Sequence, residues 1–264
     1  MIKLILTSIT VVGLLSGCSK VNTKNEKDDV RIKRITQGCK ANDAAACLAL
    51  VEKIRGKRND SVILKHLPNF KEESTYAKAV KILKDECELS QAESCYKAGK
   101  HIKIKEKRSD KVRKQFENKP KIEMFQYLNR QAAVYYTKGC DLKHAKSCGG
   151  LWKSLKILSA SDDELNAIGM KEGTYHAENC NVSVTTSSIS CKRAASAYLL
   201  HVRTEQGFQL AYDIHEARCK NNIAYDCRQL VALYKSDKYG IKSKTMADKY
   251  TQKLCNMGHE RHCN

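Results

Sequence analysis

NRQAAVYYTKGCDLKHAKSCGGLW, residues 129–152, decides the fold. A run with apolar residues at three- and four-residue steps reaches Cys140, a polar stretch DLKHAKS follows, and Cys148 opens a second such run, CGGLWKSLKIL (148–158). That periodicity is the signature of amphipathic helix on both sides. On one continuous helix, residues eight apart stand about 12 Å apart at 1.5 Å per residue. A disulfide holds its Cα atoms about 5.5–6 Å apart. If Cys140 and Cys148 are bonded, the chain turns between them and the pair staples a helix–turn–helix corner.

The same arrangement recurs in both directions. Cys39/Cys47, Cys87/Cys95, Cys219/Cys227 and Cys255/Cys263 keep the seven-residue gap, and the pair Cys180 and Cys191 widens it to ten. YAKAVKILKDEC (76–87) and MADKYTQKLC (246–255) lead into a first cysteine, and CRQLVALYK (227–235) and CKRAASAYLLHV (191–202) follow a second. First cysteines at 39, 87, 140, 180, 219 and 255 recur every 36 to 53 residues. A two-helix unit of that length repeated along a chain is the signature of a stacked solenoid. The expected fold is all-α: an α/α solenoid of about five helix-turn-helix repeats, stapled by disulfides. Short helices are expected to begin near 44, 92, 145, 190 and 224, and longer partners to end near 39, 87, 140, 180, 219 and 255. Ser161-Asp162-Asp163-Glu164 reads as a capping box for a helix over 162–180. The best strand signal is VSVTT (182–186), inside the widened corner. Pro68 and Pro120 lie in long inserts.

The N-terminus sets the compartment. Met1-Ile2-Lys3, the 12-residue apolar run Leu4–Leu15 and Leu15-Ser16-Gly17-Cys18 read as a signal peptide, too short to span a bilayer. Leu-Ser-Gly-Cys matches the bacterial lipobox, which implies cleavage before Cys18 and its lipidation. Ser19, rather than an aspartate, points to the outer membrane, with the protein facing the periplasm. The expected organisation is signal peptide 1–17, lipidated polar tether 18–29 and one repeat domain 30–264. Of 13 cysteines, Cys18 set aside leaves 12. In an oxidising compartment paired cysteines read as disulfides, so all twelve are expected to pair locally, first with second. With 42% hydrophobic and 6% aromatic residues the chain has modest core material, and each such loop adds roughly 2–3 kcal/mol in the chain-entropy model.

The stretches 76–99, 129–152 and 240–255 resemble the Sel-one-like repeat, a relative of the tetratricopeptide repeat, and in particular its cysteine-rich secreted branch. The resemblance covers roughly residues 30–264 and departs in the longer first two units and at the Cys180 and Cys191 pair. It implies a helical solenoid that binds a protein partner, as a periplasmic scaffold or virulence-associated adaptor. It also implies two alternatives: an immunity lipoprotein that neutralises an antibacterial effector such as a secreted lipase, or a β-lactam-binding or β-lactamase-like protein. For the last, one Ser-x-x-Lys occurs, Ser94-Cys95-Tyr96-Lys97, without Ser-Asp-Asn or Lys-Thr-Gly.

The formal net charge is +19, and residues 100–121 are its densest stretch, with ten Lys or Arg against three acids. Such a surface suits an acidic partner. Export and the lack of interleaved stacking aromatics argue against nucleic acid, so the expected partner is a protein with an acidic surface, with the membrane met through the N-terminal lipid. Lys97, Lys100, Lys103, Lys105, Lys107, Arg108, Lys153, Lys156, His201 and Arg203 are the candidate contacts. His259 and His262 stand between Cys255 and Cys263, one residue short of the His-Glu-x-x-His spacing that places two imidazoles on one helix face. With those cysteines bonded, two histidines fall short of the usual three or four ligands. No cofactor, metal or catalytic set is expected.

Overall fold

The computed structural model describes residues 28–56, 72–105, 110–182, 188–237 and 241–263. Within them the chain forms twelve α-helices and a closing 3-10 turn, Glu260–His262. Two helices flank each disulfide in five units: α1 (Asp28–Lys40) with α2 (Ala44–Gly56), α3 (Glu72–Glu88) with α4 (Ala92–Lys105), α6 (Lys121–Asp141) with α7 (Ala145–Ile157), α8 (Asp162–Ala177) with α9 (Ile189–His201), and α10 (Glu205–Lys220) with α11 (Ala224–Lys235). A short helix, α5 (Asp110–Gln115), follows α4, and α12 (Lys244–Asn256) leads into the 3-10 turn. Every second helix starts within one residue of its expected position. No strand occurs among the described residues, and residues 183–186 of the VSVTT segment lie outside them.

Six disulfides close the corners in the expected pairing, with Cα atoms 4.5–4.9 Å apart. Five of these corners share one backbone design. The residue three past the first cysteine is left-handed: Asn42, Ser90, Lys143, Asn222 and Gly258, with φ 59–84°. Its N–H donates to the first cysteine's carbonyl, as from Lys143 to Cys140 at 2.9 Å, and the next N–H reaches back one residue further, as from His144 to Gly139 at 3.0 Å. This double closure is the Schellman motif. It satisfies the carbonyls at the helix end and turns the chain so that the second cysteine comes beside the first.

The sixth corner, between Cys180 and Cys191, departs from this design and corrects one sequence expectation. The helix expected to run to residue 180 stops at Ala177, three residues before Cys180. Cys180 therefore bonds from the loop, whereas Cys191 bonds from the first turn of α9, with the two Cα atoms 4.6 Å apart. The eleven-residue separation supplies the slack for this asymmetry, against eight in the other five corners. Cys191 is fully buried, and its sulfur also accepts from Arg218 Nη1 of α10 at 3.5 Å. That sulfur thus joins its own corner to the next unit as well as to Cys180.

Side-chain caps start several helices. Ser161 accepts from Glu164 N–H, Thr204 from Gly207 N–H and Ser243 from Met246 N–H, at 3.2–3.3 Å. Such caps satisfy amide donors that have no partner within the helix. Pro120 stands directly before α6 as its N-cap rather than within an insert. Pro68 lies outside the described residues.

Successive helices pack as neighbours, and cysteines of the corners join the apolar core. Cys140 and Cys148 are buried with Ile102, Ala132, Tyr136 and Leu151, and Cys219 and Cys227 with Leu230, Leu233, Tyr250 and Leu254. Lysines tie adjacent units along the corner edge. Lys78 of α3 donates to the Cys39 carbonyl at 2.9 Å, and Lys253 of α12 to the Lys220 carbonyl at 3.4 Å. Lys138 of α6 pairs with Glu88, and Lys171 of α8 with Asp141 at 3.7 Å. In each case a cation meets the C-terminal end of a preceding first helix, where exposed carbonyls concentrate negative charge.

Candidate functional site

The units from α3 to α11 sort their charges by row. Their second helices, α4, α7, α9 and α11, carry eleven Lys or Arg and two acids, Glu93 and Asp226. Their first helices, α3, α6, α8 and α10, carry nine Lys or Arg and fourteen acids. The second-helix row is therefore basic and the first-helix row acidic, although both belong to a strongly cationic chain. Asp226 adds nothing to the surface of its row. It is fully buried, takes the Arg218 Nε hydrogen bond at 2.9 Å, and sits 2.8 Å from His215 Nδ1.

Pairing follows the same division. On first helices, Lys81 pairs with Asp85 at 2.7 Å and Lys220 with Glu216 at 2.9 Å, besides the inter-unit pairs above. On the second helices, Lys97 and Lys146 share Glu93 at 3.9 and 3.6 Å. Among the described residues, Lys100, Lys103, Lys153 and Lys156 form no ion pair.

Two groups of expected contact residues come together. Lys103 of α4 donates to Ser154 of α7 at 3.3 Å, beside Lys153, with its ammonium 6.0 Å from the centroid of the Tyr136 ring. Burial, then the Lys153 charge, lower the Lys103 pKa below its ordinary value. Burial, then Tyr96, raise that of Tyr136. In the second group Lys156 stands 5.0 Å over Trp152, whose indole stacks on His201 at 4.1 Å and donates to the His201 carbonyl at 3.2 Å. His201 Nδ1 in turn lies 2.6 Å from Glu172. Lys100 and Lys153 are exposed. Arg203 lies past the end of α9, where its backbone N–H donates to Asn166 at 2.9 Å, so it stands off the row. The Lys105 side chain, Lys107, Arg108 and Cys18 fall outside the described residues.

Sequence reading missed the aromatic floor and two basic residues of α9. Lys192 stands 4.1 Å over Tyr225, and Arg193 is exposed. Trp152 and Lys156 are four apart on one helix, a spacing readable in advance. The Lys103–Tyr136 and Lys192–Tyr225 contacts join different helices and leave no local signal.

The serines have structural partners. Ser94 donates to Glu86 at 2.6 Å across its corner, while Lys97 turns to Glu93. Ser147, His144 and Glu93 form a chain, with Ser147 Oγ 2.8 Å from His144 Nδ1 and His144 Nε2 3.0 Å from Glu93. That order resembles a nucleophile–base–acid relay, but Ser147 is 0% exposed. The chain instead ties the α6–α7 corner to α4. Cys255 and Cys263 are joined to each other, which takes both thiols from the His259/His262 cluster.

No protein-family model matches the chain, and no curated protein matches it either. Six disulfides point to an oxidising, extracytoplasmic compartment. Among the described residues no helix is long and apolar enough to cross a membrane.

Proposed function

We propose that this chain is a lipid-anchored envelope scaffold whose basic second-helix row binds a protein with an acidic surface, and that it is not an enzyme. The observation that carries the reading is the sorting of charge by row, with eleven cations against two acids on the second helices. A solvated surface kept soluble by charge needs no such sorting, whereas a partner surface does. Lysines braced over Tyr136, Trp152 and Tyr225 lose less freedom on binding than lysines in open water. The Sel-one-like resemblance and the lipobox at Cys18 support the scaffold and its membrane attachment.

The test starts with capture of the partner from envelope extract by the mature, oxidised protein. Association is then measured at two salt concentrations for wild type and for a variant with Lys100, Lys153, Lys156 and Arg193 changed to Gln. A matched control changes Lys81, Lys121, Lys171 and Lys244 to Gln. Steering by a basic surface raises on-rates by about 10-fold or more and weakens with salt. The first variant is expected to associate more slowly and to lose much of its salt dependence, while the control keeps both. Equal behaviour of the two variants would overturn the assignment of the row. Cys18→Ala is expected to release the protein from membranes, and sedimentation with the outer membrane regardless would overturn the anchor.

A further inference from the structure

We infer that Lys103, held in place by Ser154, and Lys153 form a cationic pocket that receives one side-chain carboxylate of the acidic partner. The inference rests on the reading of the second-helix row as a partner surface, and it names the chemistry at one point of that row.

The pocket is built by three helices. The Tyr136 ring of α6 lies against Gly99 of α4 and Gly150 of α7, and a Cβ at either glycine would come within 2.8 Å of ring carbons. The ring thus fills the space between the two second helices and forms a floor. Above it, Ser154 donates its hydroxyl to the Gly150 carbonyl at 3.0 Å, so towards Lys103 the serine acts as acceptor. An ammonium has three N–H donors, and this contact uses one. Among the described residues no carboxylate reaches Lys103 or Lys153.

The result is a half-buried cation held on a fixed floor with a second cation as its neighbour. Partial removal of a charge from water is costly unless a counter-charge or further hydrogen bonds compensate. A carboxylate supplies both, because its two oxygens can accept from two ammonium groups at once. The location favours a single negative charge. Lys103 lies near the C-terminal end of α4 and Ser154 in the last turn of α7. Helix C-termini carry partial negative charge, which opposes a dianionic phosphate more than a carboxylate. Phosphate sites at helix ends use N-terminal amide groups instead.

The experiment uses the mature oxidised protein with specifically 13C-labelled lysines, hexaglutamate peptide and, separately, inorganic phosphate. Hexaglutamate is expected to shift the Lys103 side-chain signal. Lys103→Met is expected to weaken peptide affinity about tenfold, as loss of one charge-assisted hydrogen bond implies. Lys235→Met, an exposed site with the same charge change, should weaken it by less than about threefold. Ser154→Ala keeps the charge and removes the acceptor that holds the Lys103 ammonium, and so tests the same pocket should Lys103→Met fail to fold; a loss of about threefold is expected from the lost positioning. If hexaglutamate does not bind the wild type, the row reading falls and the pocket with it. If it binds but Lys103→Met and Lys235→Met weaken it equally, the pocket falls while the row stands. A Lys103 signal that moves with phosphate and not with peptide overturns the carboxylate assignment.

Discussion

Lys143 and Gly258 occupy the same backbone position in two different corners, each three residues past the first cysteine, with φ of 59° and 84°. Only one of them suits it. A left-handed non-glycine residue is disfavoured by roughly 1–2 kcal/mol, and glycine's greater freedom in the unfolded chain offsets about 0.5–1 kcal/mol of any gain. Lys143→Gly is therefore expected to stabilise the protein by about 0.5–1 kcal/mol. Gly258→Ala should cost roughly 1 kcal/mol by conformation alone, since a Cβ there meets nothing within 4 Å. Urea unfolding with the disulfides intact measures both.

The wedge of Tyr136 between two glycines makes a sharper demand. Gly150→Ala places a methyl group into the ring and is expected to cost about 1–3 kcal/mol, the range for overpacking. Gly150→Ala combined with Tyr136→Leu should recover part of the loss relative to the sum of the single changes. Additive losses in the four-member cycle would count against the contact.

Asp226 neutralises Arg218 where water does not reach, with side chains 1% and 0% exposed. Asp226→Asn keeps the shape and leaves the guanidinium without its counter-charge, with an expected cost of about 3–5 kcal/mol. Equilibrium denaturation decides it, and a cost below about 1 kcal/mol would mean the guanidinium finds other compensation.

Acid should destabilise the fold through His144 and His176. Burial pushes both below the ordinary 6.5, against the opposing pull of Glu93 and Glu172 respectively. Below pH 6.5 the unfolded chain then holds more protons than the folded one, so stability rises with pH across that window and is complete above it. The melting temperature is expected to be lower at pH 5.5 than at pH 7.5, and His176→Gln should shrink the difference. NMR titration of the two imidazoles checks the direction independently.

The corners also differ in their resistance to reduction. Cys39, Cys47, Cys87, Cys95, Cys140, Cys148, Cys191, Cys219 and Cys227 are buried, but Cys263 is exposed. Thiol exchange requires access to the sulfur. Mild reductant under native conditions is expected to free Cys255 and Cys263 first. Alkylation followed by peptide mapping reads the order, and earlier release of a pair with both cysteines buried would contradict it.

Cysteine spacing and polar corner stretches made the helix boundaries legible, because a local crosslink leaves the chain few ways to close. The turn residues were less so. Ser90 and Lys143 stand left-handed where no glycine or asparagine marks the site. In the widened corner the extra residues let α8 end before Cys180, so that cysteine no longer marks a helix end, while Cys191 still marks a helix start. The basic excess in 100–121 drew attention to a linear stretch, whereas the charge pattern runs across helices. Lys103 becomes distinct from its neighbours only when Tyr136 and Ser154 arrive from two other helices. The burial of Arg218 was not legible, since an arginine with 0% exposure has no local sequence sign.

Every crosslink joins cysteines no more than eleven residues apart. A chain threaded N-terminus first into an oxidising compartment can therefore complete each bond before the next unit emerges. No early cysteine waits for a late partner, so the maturing protein has little need of an isomerase to correct its bonds. Truncation after any corner leaves the earlier bonds with both partners present. The same locality means that units can be added or removed by duplication without stranding a thiol, a route by which such a chain can change length while each link keeps its mate.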